Sequence, residues 1–229
     1  MARRPSRHVP FAPARPTRRR ILDASRRLFN RKGYARTTLA EIAASVGIAE
    51  GNLWYHFRSK LDLVVSLEEE LRRAVRERRA AYPSGGPVAD DYVESILFAM
   101  NQRWAYRFLL RDHLQFSSGR DPLRLDPDMV ADFEMLREAL RRMRKEGLFR
   151  RDLPLDIDAL ARALWLVSRY WTDHLQEHEG LDDIAWADQE RGFQLHFAVL
   201  LPYLTAPARR SLESALLRVS VELAASGME

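Results

Sequence analysis

The sequence predicts an all-α protein, in which an N-terminal three-helix head with a helix-turn-helix is joined by a linker helix to a C-terminal helical domain. Apolar residues recur at spacings of three and four along most of the 229 residues, which is the period of amphipathic helices. Glycines, prolines and capping side chains separate these segments. No segment shows the sustained alternation and hairpin turns of strands. We therefore expect an arm at 1–16, the head at 17–60 and the helical domain at 61–229.

Charge is distributed unevenly along the chain. Residues 1–60 contain 14 Lys and Arg against 3 Asp and Glu, a balance of +11, although the whole chain carries +5. The remainder stands at −6, so a polyanion is expected to bind the head alone. The basic arm at 1–16 contains four prolines and is expected to be disordered.

Composition excludes several kinds of site. The chain has no cysteine, so disulfides, thiolate metal sites and thiol nucleophiles are excluded. The N-terminus lacks the apolar run of a signal peptide, and no stretch is long and apolar enough to span a bilayer. A cytoplasmic protein without a membrane partner is expected.

Three short helices are predicted in the head. The first runs from Thr17, as its N-cap, to about Lys32, before Gly33. In the second, Thr38 and Glu41 have the spacing of a capping box. Gly47 ends this helix, and the third runs from about residue 50 to 57. A tight turn between two short helices is typical of a helix-turn-helix, whose second helix enters the DNA major groove.

The third helix has distinct inner and outer faces. Leu53 and Phe57, four residues apart, are expected to point inward. Asn52, Trp54 and Tyr55 occupy the outer positions. Trp54 is an unusual residue for an exposed helix face, which favours a contact with DNA at that position.

The helical domain begins within a fourth helix that runs from about Ser59 to Ala81, where PSGGP at 83–87 breaks the chain. We place the functional boundary inside this helix. Six further helices are predicted at about 90–102, 104–116, from Pro127 after an Asp126 N-cap to Gly147, 156–178, 184–204 and 207–225.

Two helices of this domain are apolar on more than one face. They contain the segments ALARALWLVSRYW at 159–171 and FQLHFAVLLPY at 193–203. A helix that is apolar all round must be covered on both sides. A second copy of the chain is the simplest cover and predicts a homodimer, whereas a large monomeric core is the alternative.

The head resembles the tetracycline-repressor (TetR) family of bacterial transcription regulators. The resemblance rests on Leu28-Phe29 with Gly33-Tyr34, on Thr37-Thr38, on Ile42-Ala43 and on GIAEGNLWYHFRSK at 47–60. Ala49 and Glu50 depart from it, because the family often has Ser or Thr, and then a basic residue, at these positions. Ala49 leaves the third helix without a side-chain N-cap, which typically costs about 0.5–2 kcal/mol.

The resemblance implies a set of DNA-binding residues. Asn52 and Tyr55 would face base edges, while Trp54 and His56 would lean on the sugar-phosphate backbone. Gly51 would allow a close approach to DNA or would merely fit the packing. Thr37, Thr38 and Lys60 match phosphate anchors of the family.

The resemblance also implies a pocket for a small-molecule effector in the helical domain, where composition alone implies only a core. The expected lining residues are Met100, Trp104, Phe108, Phe133, Trp165, Arg169 and Tyr170. Arg169, among apolar neighbours, would bind an anionic group of the effector or form a salt bridge across the dimer.

No enzyme constellation is recognisable, and neither a cofactor nor a metal is expected. His174 and His178 could hold a metal on one helix face, but a solvated helix end is favoured. These observations predict a homodimeric repressor that leaves a palindromic double-stranded DNA operator when a mostly apolar small molecule binds. The alternative is a helical small-molecule-binding or adaptor protein whose head contacts another protein.

Overall fold

The computed structural model describes residues 16–112, 115, 127–181 and 184–225. The predicted all-α class is confirmed: the described elements are helices, and Phe149 and Leu204 form an isolated antiparallel bridge. The α-helices are Thr17–Lys32 (α1), Leu39–Val46 (α2), Glu50–His56 (α3), Lys60–Ala80 (α4), Val88–Ala105 (α5), Arg107–Arg111 (α6), Pro127–Lys145 (α7), Ile157–Glu177 (α8), Trp186–Leu200 (α9) and Ala206–Ala225 (α10). The predicted arm at 1–16 and the Asp126 cap lie almost wholly outside the described residues.

The described residues form two compact units. The first contains residues 16–69 together with 108–112 and 115, and the second contains residues 70–107, 127–181 and 184–225. Helix α4 belongs to both units, because the division falls between Glu69 and Glu70. The division of the chain at residue 60 stays a prediction.

In the first unit, local signals set the helix ends. Thr38 accepts a hydrogen bond from the Glu41 amide at 3.2 Å, and a Glu41 carboxylate oxygen accepts from the Thr38 amide at 3.1 Å, which completes the predicted capping box. Gly47 ends α2 with a φ of 71°, a left-handed conformation that favours glycine. The predicted Thr17 cap is wrong. Pro16 precedes the helix, and its carbonyl accepts from the Arg19 amide at 2.9 Å.

Apolar side chains of α1 to α4, together with Phe108 of α6, form the core of the first unit. They include the predicted inward residues of the third helix, Leu53 and Phe57, which are both buried. The other members are Ile21, Leu22, Ala24, Leu28, Phe29, Ile42, Ala43, Val46, Leu63, Val64 and Leu67. Helices α2 and α3 are therefore held through one face each, and the opposite face of α3 is left exposed.

Two predicted helices have other bounds in the structure. Trp104 belongs to α5, the backbone leaves the helical conformation at Tyr106, and the short α6 follows. The rest of the helix expected at 104–116 lies largely outside the described residues. The helix expected at 184–204 begins at Trp186 and passes after Leu200 into a 3-10 turn that contains Pro202. A proline has no amide proton to continue an α-helical hydrogen-bond ladder.

The core of the second unit lies between α5, α7, α8, α9 and α10. Its largest fully buried side chains are Tyr92, Leu140, Met143 and Leu164. Asp156 begins α8 as predicted, since its carboxylate accepts from the amides of Asp158 and Ala159. None of the described helices is long and apolar enough to cross a membrane.

Candidate nucleic-acid interface

Helix α3 presents aromatic and amide side chains on the face opposite its buried anchors. Asn52 is exposed, and Trp54 and Tyr55 keep 54% and 79% of their surface accessible. Large aromatic side chains with that exposure are unusual on a helix, and they commonly mark a binding surface. The structure thus places Asn52, Trp54 and Tyr55 on the outer face of α3, as predicted.

Cationic groups and small residues surround these side chains. The Arg58 guanidinium carbon lies 3.7 Å from the centre of the Trp54 ring, and the half-buried His56 ring packs edge-on against Tyr55 at 5.6 Å. A Cβ atom at Gly51 would meet nothing within 4 Å. Close backbone packing therefore does not explain Gly51, and its exposed position leaves room for a bound molecule.

The start of α2 precedes this surface in the sequence and is the second predicted contact region. Thr38 is exposed and caps the helix, whose N-terminal amides favour phosphate. Thr37 departs from the prediction, because its side chain is fully buried and its hydroxyl donates to the Gly33 carbonyl at 2.8 Å. A direct contact between the Thr37 side chain and phosphate does not fit this position, and Thr37 shapes the loop instead.

Lys60 combines a structural contact with its predicted position at the start of α4. Its ammonium group donates to the Tyr34 carbonyl at 2.9 Å and to the Ala35 carbonyl at 3.4 Å, and it lies 4.5 Å from the centre of the Tyr34 ring. Lys60 therefore fixes the loop before α2. The side chains of Asn52, Trp54, Tyr55 and Thr38 are exposed at the surface. Lys60, predicted as a phosphate anchor, also has a structural role in the loop.

The predicted pocket residues separate into groups. Phe133, Trp165 and Tyr170 form a chain of edge-on ring contacts, with centroids 6.0 and 6.1 Å apart, and the Arg169 guanidinium lies 5.4 Å from the Tyr170 ring. Trp104 packs edge-on against Trp186 at 5.7 Å, and Met100 packs against the core.

Phe108 does not belong with the other pocket residues. It is fully buried in the first unit, where its ring lies 5.2 Å from that of Phe29. Its amide donates to the Asn30 side chain at 3.2 Å. The expectation that Phe108 lines a pocket of the helical domain is a mistake caused by its closeness to Trp104 in sequence.

An open groove of about 630 Å³ lies elsewhere, between the end of α7 and the start of α8. Its lining consists of Arg141, Arg144, Lys145, Leu155, Asp156, Ile157 and Asp158. None of the predicted pocket residues is among them. The sequence did not predict that Arg103, Ser168 and His196 form a polar cluster inside the second unit. An isolated arginine, serine or histidine in a helix gives no signal of such a cluster.

The fold and the exposed face of α3 define a helix-turn-helix regulator with an all-helical second domain. Two family models match the chain: one described as bacterial regulatory proteins of the tetR family matches residues 21–67, and one described as a bacterial transcriptional repressor, TetR, matches residues 68–212. The chain belongs to the TetR family of bacterial transcriptional regulators.

Individual relatives match the head most clearly. The regulator TtgR of Pseudomonas putida is 43% identical over 58 residues, which are 25% of this chain and 28% of TtgR. The match thus spans little more than a quarter of that protein's length.

Solved structures match over most of the chain. A TetR-family regulator from Marinobacter aquaeolei VT8 has a TM-score of 0.66 at 26% identity, with 89% of this chain and 98% of that chain covered. CprB from Streptomyces coelicolor, solved in complex with its operator sequence, has a TM-score of 0.61 at 24% identity, with 90% and 97% covered. The likeness to CprB concerns the fold alone.

Proposed function

We propose that this protein is a homodimeric repressor that binds a palindromic DNA operator through two copies of α3 and leaves it when a mostly apolar small molecule occupies the helical domain. The exposed face of α3 carries this proposal, because Asn52, Trp54 and Tyr55 stand outward within a segment whose net charge is +11. The operator complex of CprB, a protein of the same fold, supports the same interpretation. The family description as a repressor supports the sign of regulation.

Residues on this surface divide into those that specify sequence and those that position the protein. An asparagine can bind adenine through two hydrogen bonds, and a tyrosine can bond to a base and contact a thymine methyl. We assign those roles to Asn52 and Tyr55. Phosphate contacts from Thr38, Trp54, His56 and Lys60 would fix register without reading sequence.

The test uses the full chain and DNA from its own upstream region, in fluorescence anisotropy against a panel of operator variants. Asn52→Ala and Tyr55→Ala should each flatten the preference at one position by about 1–3 kcal/mol. Glu68→Gln, on α4 outside this surface, serves as a matched control and should leave the preference intact. A flat response of the unmodified protein to all DNA sequences would refute the proposal and favour an adaptor role.

The dimer interface is proposed on α8 and α9, which pack against each other in the second unit. On α8 the exposed residues Ala163, Leu166 and Tyr170 follow each other at spacings of three and four, and Leu195 and Ala198 are exposed on α9. An exposed apolar patch on adjacent helices is suited to a self-complementary contact across a two-fold axis. Four helices, two from each copy, would then form the interface.

Glutamate substitutions distinguish the two sides of these helices. Ala163→Glu and Leu195→Glu should dissociate the dimer in sedimentation velocity while far-UV circular dichroism stays unchanged, because the new carboxylates are buried only in the dimer. Val199 packs against the core, so Val199→Glu should instead reduce helicity. If Ala163→Glu and Leu195→Glu both remained dimeric, the interface would lie elsewhere.

Release by a small molecule requires differential binding. A ligand shifts the protein toward the DNA-incompetent state only by the ratio of its affinities for the two states. The ring chain of Phe133, Trp165 and Tyr170 offers apolar surface for such a ligand. An effector that binds the DNA-incompetent state more tightly should therefore raise the apparent dissociation constant for operator DNA as its concentration rises.

A further inference from the structure

A chain of buried polar side chains crosses the second unit between α5, α8 and α9. The Tyr92 hydroxyl lies 2.7 Å from His196 Nε2, and the Ser168 hydroxyl lies 2.9 Å from His196 Nδ1. His196 keeps only 1% of its surface accessible. Burial, together with the nearby charge of Arg103, lowers the pKa of His196 to about 4. The imidazole and its two hydroxyl partners are therefore neutral at pH 7.

Arg103 adds a full positive charge to this neutral cluster. One of the five N–H groups of the Arg103 guanidinium donates a hydrogen bond to the Ser168 carbonyl. Burial and the charge of Arg169 lower the pKa of Arg103 to about 10, which leaves it protonated at pH 7. Arg103 as a whole residue is half-buried, so part of it reaches the surface of the second unit.

Among the described residues, no carboxylate lies within ion-pair distance of Arg103, whereas two other arginines of the second unit have carboxylate partners. Arg79 pairs with Asp132 at 2.8 Å, and Arg142 pairs with Asp91 at 3.1 Å. Asp132 attracts Arg103 only from farther away and is engaged by Arg79. Taking a charge out of water is costly unless a counter-charge offsets it.

A second cation and aromatic rings adjoin Ser168 on α8. Arg169 follows Ser168, and Trp165 lies on the same face, four residues before Arg169. The Arg169 guanidinium contacts the Tyr170 ring, and Trp165 contacts both Phe133 and Tyr170. Two guanidinium groups that repel each other thus meet α8 at consecutive residues, Arg103 at the Ser168 carbonyl and Arg169 beside the Tyr170 ring.

We propose that the effector is an organic acid, with an aromatic or aliphatic body and one carboxylate, and that Arg103 binds the carboxylate with help from Arg169. An arginine presents paired donors that match the two oxygens of a carboxylate. Arg103 carries the argument, because Arg169 is also suited to a salt bridge across the dimer. The regulatory role of this acid rests on the proposed function, but the anion site itself does not depend on DNA binding.

The experiment compares acids with neutral analogues of the same shape, by calorimetry at pH 7 on the full chain without DNA. The pairs are benzoate with benzamide, 2-naphthoate with 2-naphthamide, and decanoate with decanol. At least one acid should bind about tenfold or more tightly than its neutral partner. Arg103→Gln should remove that preference, Arg103→Lys should restore it in part, and Arg210→Gln, at an exposed position of α10, should leave it unchanged.

Folding of each variant is checked by circular dichroism. If Arg103→Gln does not fold, Arg169→Gln and Arg103→Lys replace it, and each should still weaken the acid by severalfold. The proposal is overturned if no acid binds at millimolar concentration, if neutral analogues bind equally well, or if a folded Arg103→Gln keeps the preference. Operator affinity is measured separately, so a protein that binds acids through Arg103 but no DNA would refute the proposed function alone.

Discussion

Arg111, at the end of α6, and Asp112, which follows it, stabilise the end of α1. Removal of the Asp112 carboxylate should therefore destabilise the first unit. Arg111 donates to the carbonyls of Phe29 and Asn30 at 2.6 and 3.0 Å. Asp112 pairs with Arg111 through both carboxylate oxygens, each at 3.0 Å, and accepts from the Tyr34 amide at 2.8 Å. A cation at the carbonyl end of a helix is favourable, and Asp112 holds this cation in place.

The size of the effect follows from what Asp112→Ala leaves behind. The Tyr34 amide loses a charge-assisted hydrogen bond, which is typically worth about 1.5–3 kcal/mol. Arg111 loses its partner, but 30% of its side chain is accessible, so water replaces much of that interaction and only about 0.2–1 kcal/mol is added. The free energy of unfolding should fall by about 2–4 kcal/mol. Asp112→Asn keeps an acceptor and should lose about half as much.

Urea denaturation followed by circular dichroism measures these losses, and hydrogen exchange at the Tyr34 amide reports the local contact. Asp152→Asn is the control, because Asp152 forms an exposed pair with Arg150, and it should leave the unfolding midpoint unchanged. Equal midpoints for Asp112→Ala and the unmodified protein would show that the contact contributes nothing. Equal losses for Asp112→Ala and Asp112→Asn would assign the effect to charge and not to the Tyr34 amide.

Two further substitutions test the caps and the buried histidine. Ala49 precedes α3 with an extended backbone and no side-chain cap, so Ala49→Ser should raise the free energy of unfolding by about 0.5–2 kcal/mol in urea denaturation, and no gain would mean that the serine hydroxyl does not reach the helix amides. Burial lowers the pKa of His196 to about 4, below its value in the unfolded chain, so stability is complete above about pH 6.5 and is lost as pH falls toward 4. The loss should be about 2 kcal/mol at pH 5, and His196→Gln should remove this part of the pH dependence; an unchanged slope would place the titrating group elsewhere.

Short-range signals explain which parts of the fold could be predicted. The Thr38 capping box, the Gly47 turn and the inward Leu53 and Phe57 are each encoded within four residues, and all four are confirmed. Sequence patterns gave no comparable information on contacts between distant segments. Asp112 and Tyr34 are 78 residues apart, and nothing local indicates that a segment after Trp104 packs with the head.

The burial of polar side chains could not be predicted from the sequence. The family resemblance implies that Thr37 is a phosphate anchor, but Thr37 is buried because its hydroxyl closes the loop on Gly33. Arg103, which no motif singles out, lies beside the Ser168 carbonyl. A polar side chain is placed by its hydrogen-bond partners, and these partners are not visible in a hydrophobic pattern.

Hydrogen bonds of Thr37, Asp112 and Lys60 hold the loop at 33–37, so Lys60 can have a structural role and a separate DNA-binding role. Thr37 bonds Gly33 within the loop, Asp112 accepts from the Tyr34 amide, and Lys60 donates to the Tyr34 carbonyl. A phosphate contact by Lys60 predicts that Lys60→Ala weakens all operator sequences alike and reduces the salt slope of binding by about one unit. A purely structural role predicts weaker binding with the slope unchanged, since no counterion release is lost. Asp112→Asn is the comparison, because it loosens the same loop without removing a cation. A Lys60→Ala slope equal to that of Asp112→Asn would refute the phosphate contact.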